Sequence, residues 1–108
     1  MGMGCIRLSA QTWQDNTEFI GNEAWVWLGY DVDISGDGTV FVGGGPANLA
    51  GTQGLIKVYE EQADGSWVQR GSDLLGDNNG DLFGWDVSVS YNGKRVLAGA
   101  PEGKYTKA

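Results

Sequence analysis

The chain has 108 residues, enough for one small domain with a core, and 14 acidic against 7 basic side chains give it a net charge of −7. That balance, with no basic stripe, speaks against nucleic-acid binding, and the lack of histidine excludes any Ser-His-Asp or Cys-His site within the chain. The 19 glycines stand beside only 2 prolines and lie between short β-branched and aromatic runs, which predicts an all-β fold of short strands and tight turns.

Residues 1–7 contain no apolar signal-peptide core, and Ile6 stands where a myristoylation signal wants Ser or Thr. No apolar run reaches membrane-spanning length, so no membrane insertion is expected. Cys5 is the sole cysteine, which rules out an internal disulfide and leaves the redox compartment open. Residues 5–8 and then Trp13 with Gln14 read as two short strands. Val32 and Ile34 alternate with Asp31, Asp33 and Ser35, the period of a half-buried strand. Residues 35–38, Ser-Gly-Asp-Gly, predict a tight turn into a second strand at Val40, Phe41 and Val42. A polar loop over 46–54 leads to a third strand at 55–60, a turn at 63–66 and a fourth strand at 67–70. Leu74, Leu75 and a loop over 76–81 lead to another strand at Val87 and Val89, a turn at Asn92-Gly93 and a strand from Val96. No stretch holds a helical period for long.

The two halves of this pattern are copies. Residues 16–46 and 71–101 align without gaps at an offset of 84 − 29 = 55, with 8 identities in 31 positions. The identities include Gly29 with Gly84, Asp31 with Asp86, Val32 with Val87, Gly44 with Gly99 and Pro46 with Pro101. The apolar positions stay in phase throughout, which chance likeness of two glycine-rich stretches does not explain. Four short antiparallel strands in a repeat of this length is the sequence form of a β-propeller blade, whose faces are hidden only by neighbouring blades. A repeating sandwich is the alternative.

Phe83-Gly84, Val87, Val89 and Ser90, the turn at Asn92-Gly93 and the run from Val96 to Pro101 resemble the FG-GAP repeat of integrin-alpha-type propellers. The first unit matches more loosely, with Leu28-Gly29 for Phe-Gly and Gly44-Gly45-Pro46 for Gly-Ala-Pro. Val58-Tyr59 after Gly54 and the Gly65-Ser66-Trp67 turn fit the same pattern, and the likeness covers about residues 13 to 103. The resemblance implies an all-β fold of antiparallel four-stranded β-propeller blades. It also implies a non-enzymatic role in binding or adhesion, with loops on one face taking protein or glycan partners, commonly outside the cell. The chain holds about two blades, in the order half, whole, half: units at 16–70 and 71–108, the latter incomplete, after a remnant at 1–15. Three or four copies closing a ring head to tail, and a fragment of a longer product, both fit that phase.

Asp33, Ser35 and Asp37 match the first side-chain positions of the calcium loops found in that family, and calcium takes oxygen ligands of this kind. The closing carboxylate is missing, since Val40 and Phe41 stand in its place, and the second unit offers only Ser88, Ser90 and Asn92. An ordinary hairpin turn explains the same residues. Calcium is therefore the one cofactor that the pattern suggests. Asp77, Asn78, Asn79 and Asp81 form an acidic loop between units, matched by Asn22 and Glu23 in the first. Such amides and carboxylates suit sugar hydroxyls or a partner's polar groups, and a solvated turn is the plainer reading. Trp25 faces no apolar counterpart in the repeat, so its indole is a candidate for stacking on a sugar or anchoring a protein. Trp27, opposite Leu82, is expected in the core, while Trp13, Trp67 and Trp85 are expected to be structural strand residues. Recurrence of a carboxylate at Asp31 and Asp86 predicts a structural hydrogen bond to backbone. Paired carboxylates could hydrolyse glycosides, but nothing selects a pair.

Overall fold

A computed structural model of the chain describes residues 18–20, 26–47 and 53–103. Among these residues the structure is all β, with antiparallel pairing throughout. β1 (Asp31–Ile34), β2 (Val40–Gly45), β3 (Leu55–Glu61) and β4 (Trp67–Gln69) follow one another across a sheet in the order of the chain. β5 (Leu74–Leu75) pairs with β3, and β6 (Val87–Val89) pairs with β7 (Val96–Ala98) in a second, two-stranded sheet. The sheets do not close on themselves. The expected strands at 5–8 and at Trp13 lie outside the described residues.

Turn chemistry sets both hairpins. Between β1 and β2 the Ser35 N–H donates to Val40 O and the Gly38 N–H to Ser35 O; between β6 and β7 Ser90 and Gly93 repeat the pair, to Arg95 O and Ser90 O. Gly38 and Gly93 take left-handed φ of 76° and 73°, a conformation that glycine enters without steric cost. The repeat is written in the backbone elsewhere too: Trp27 and Leu82, one repeat apart, have φ of 60° and 62°.

The fourth strand expected at 67–70 is present as β4, and a further strand, β5, shares its place beside β3. β4 pairs with the Tyr59–Glu61 end of β3 and β5 with Leu55 and Ile56 at its other end. The chain turns between them at Gly71, φ 76°, and Leu74 and Leu75 act as a strand rather than as connection. Asp73 lies at this break and reaches the buried Lys57 ammonium of β3, Nζ to Oδ1 2.8 Å.

The core sits between the two units. Val40 and Val42 of β2 and Ile56 and Val58 of β3 meet Val87 and Val89 of β6, with Phe83, Val96 and Ala98 packed at the margin. Full burial of each such side chain is worth about 1.5–3 kcal/mol. Close approach is possible because of Gly44: a Cβ there would overlap the carbonyl oxygen of Gly84. The opposite face of the first sheet carries an aromatic cluster in which Phe41 stacks on Tyr59 at 5.0 Å and meets Trp67 edge-on at 5.5 Å. Trp67 thus has the structural place expected of it. Trp27 does not: it is 41% exposed and lies flat on Tyr30, at 5.8 Å and 10°. Small β-branched side chains fill the inter-unit core and leave its indole on the rim. Trp85 also lies outside the strands, two residues before β6, and packs on Tyr30 at 4.7 Å.

Candidate functional site

The junction of the two units gathers most of the chemistry. β1 and β6 lie beside one another without forming a ladder, so the outer N–H groups of β6 need other acceptors. Two carboxylates of β1 supply them: Asp31 Oδ2 accepts from the Val87 N–H and Asp33 Oδ2 from the Val89 N–H, both at 2.8 Å. Alternation along β1 sends Asp31 and Asp33 to this side and leaves Val32 and Ile34 on the other. Asp31 therefore makes the backbone bond that its recurrence in the repeat predicts. Asp33, which in the sequence fits either a calcium loop or an ordinary hairpin turn, makes the same bridging bond one β-period further on.

The Ser-Gly-Asp-Gly turn uses its own polar groups fully. The Ser35 hydroxyl donates to Asp37 Oδ1 at 2.7 Å and accepts from the Thr39 and Val40 N–H groups. Asp37 Oδ1 also accepts from the Thr39 N–H and hydroxyl. These bonds, that from Ser35 foremost and then those from Thr39, hold the Asp37 carboxyl below its usual range. In the second unit Ser90 and Asn92 make the same pattern, Ser90 Oγ to Asn92 Oδ1 at 3.0 Å and Lys94 N–H to both. An uncharged amide serves where the first unit has Asp37, so the turn itself explains the shared residues.

The loop between units, 76–83, lines an open cavity of about 390 Å³. Leu75, Phe83 and Ala100 contribute apolar wall, and Asp77, Asn78 and Asp81 contribute polar groups. Within it Asp81 is buried and accepts from the Asn78 amide at 3.1 Å, while Asp77 and Asn79 are exposed. Asp81 thus organises the loop, and Asp77, Asn78 and Asn79 are its presented side chains. Asn22, Glu23 and Trp25 lie outside the described residues.

Sequence reading overlooked an aromatic group at the same junction. Tyr30, 47% exposed, is flanked by Trp27 from its own unit and Trp85 from the next. Tyr30 and Trp85 occupy one repeat position, and that recurrence of an aromatic directly after Gly29 and Gly84 was the available signal. No group of three or more His, Cys, Asp or Glu side chains placed to hold a metal ion occurs among the described residues. No helix there is long and apolar enough to cross a membrane. No family model matches the chain, and no curated protein or solved structure matches it either.

Proposed function

We propose that this chain is a non-enzymatic binding module built from β-propeller-type blades, which takes glycan or protein partners on its inter-blade loops. The observation that carries the reading is the convergence of two successive units at one rim, where Trp27, Tyr30 and Trp85 form a half-exposed aromatic platform. Trp85 stands two residues beyond the end of the loop that presents Asp77, Asn78 and Asn79. Aromatic faces stack on the apolar C–H face of a sugar ring or anchor a peptide, and nearby amides and carboxylates take hydroxyls or N–H groups. Lateral packing of the second unit on the first, face to face through a shared core, supports blades rather than two independent sandwiches. The FG-GAP resemblance points the same way, and implies an extracellular setting. The acidic charge suits neutral or cationic partners better than polyanions.

The test is a glycan and peptide array with the purified chain and two variants, Tyr30→Ala and Asp77→Ala. Both side chains are exposed, so neither change opens the core. Reproducible binding that Tyr30→Ala abolishes supports the reading. Binding indifferent to both variants, or none at all, rejects it.

A further inference from the structure

The contact between the two units is a template, and among the described residues its receiving side recurs on β1 and part of its contributing side recurs on β6 and β7, with Arg95 at the position of Val40. On the contributing side of the template stand Asp31, Asp33, Val42 and Gly44; one repeat on, these become Asp86, Ser88, Leu97 and Gly99. Asp86 and Ser88 are exposed and Leu97 is 73% exposed, on the face of the β6–β7 hairpin away from the core. On the receiving side stand Val87, Val89 and Gly84; one repeat back, these are Val32, Ile34 and Gly29. Val32 and Ile34 are 60% and 55% exposed, where Val87 and Val89 are buried at 8% and 9%. A Cβ on Gly29 would meet nothing within 4 Å, whereas one on Gly84 would meet Leu55 O at 2.5 Å. The Ile34 N–H turns back to its neighbour, Asp33 Oδ1, while its counterpart on Val89 is held by Asp33 Oδ2 across the junction.

We infer that the outer face of β6–β7 is a docking site for β1 of a second copy of this chain. Asp86 accepts from the Val32 N–H of that copy and Ser88 Oγ from its Ile34 N–H, while Leu97 covers the two apolar side chains. The occupant is a second copy because, among the described residues, one chain exposes both complementary surfaces and already joins their counterparts within itself. Such a contact is head to tail, so it either closes into a ring or extends as a filament. Like chains of charge −7 repel, so association strengthens with salt.

Gly99 supplies a selective test. A Cβ there meets only Asp86 atoms, at 3.7 and 3.8 Å, so Gly99→Ala fits within a single chain. In the docked pair it strikes the Gly29 carbonyl, as a Cβ on Gly44 would strike Gly84. Sedimentation velocity and light scattering of the full chain, from low micromolar to roughly 100 µM at about 0.15 M salt, read the mass. The wild type is expected to exceed the mass of one chain, whether it levels off at a closed ring or grows with concentration. Asp86→Ala raises the dissociation constant by about tenfold or more, the loss of a hydrogen bond to a charged group. Gly99→Ala abolishes association and keeps the circular dichroism and urea midpoint of the dilute wild type. A wild type monomeric over the whole range, including one that pairs only with a different protein, overturns the inference. So does association that both variants leave intact. Array binding is read separately, so either proposal can fail without the other.

Discussion

Lys57 shows how one residue's environment decides its partner. It lies in the middle of β3, buried, and its ammonium needs a counter-charge. Asp73 provides it with Oδ1 and Oδ2 at 2.8 and 3.0 Å, and Gln69 steadies the same carboxylate at 2.7 Å. The bond from Lys57, more than that from Gln69, keeps the Asp73 carboxyl below its usual range against the opposing effect of burial. Removing the carboxylate strands a buried charge, so Asp73→Asn is expected to lower stability by roughly 1–3 kcal/mol in urea unfolding. Lys57→Met costs less, because the carboxylate left behind is partly solvated, at 26% exposed. The depressed value in the folded state means that this stabilisation is complete above the unfolded carboxylate pKa of about 3.9. It fades as pH falls through the lower folded value, and Asp73→Asn flattens that part of the acid limb. At the turn, Asp37→Asn is expected to keep the thermal midpoint, as Asn92 fills the same role, whereas Asp37→Ala lowers it. The Lys57–Asp73 pair was not legible in sequence, because its members are 16 residues apart and meet only after β3 has its edge partners.

At the scale of elements, the docking of β6 is the instructive event. Its outer N–H groups form no ladder with β1 beside them, and two side chains of β1 take the bonds instead. Asp31→Ala and Asp33→Ala should therefore each cost about 1.5–3 kcal/mol, read as a lower urea midpoint. Asp31→Asn retains an acceptor oxygen and should cost less. Equal effects of Ala and Asn at position 31 would mean that the carboxylate acts on β6 by charge rather than as a bond acceptor. The strands and turns themselves were readable in advance: β1, β2, β3, β6 and β7 fall where alternation and turn residues put them. β5 was missed, since two leucines between glycines carry no period and become a strand only by pairing with β3.

For the whole molecule, the core location sets cooperativity. The buried cluster draws on both units, so it is complete only when the β6–β7 hairpin lies on the sheet of β1 to β5. Hydrogen exchange is expected to give the Val87 and Val89 amides the same opening free energy as Val42 and Val58, reporting one global transition. Much faster exchange at Val87 and Val89 would show the hairpin opening by itself.

Local and periodic features are legible in the sequence: the all-β class, the turns and the repeat of 55 residues. Each depends on neighbours a few positions apart, or on likeness between two stretches, and both are visible in a string of residues. How the repeats use their carboxylates emerges from the packing of the strands. Asp33 bridges to the next unit, Asp37 closes its own turn, Asp73 neutralises Lys57 and Asp81 braces its loop. An aspartate carries the same two acceptor oxygens in every case. Which donor it meets is set by long-range packing of strands, and that packing is where Tyr30 and its two tryptophan neighbours come together as well.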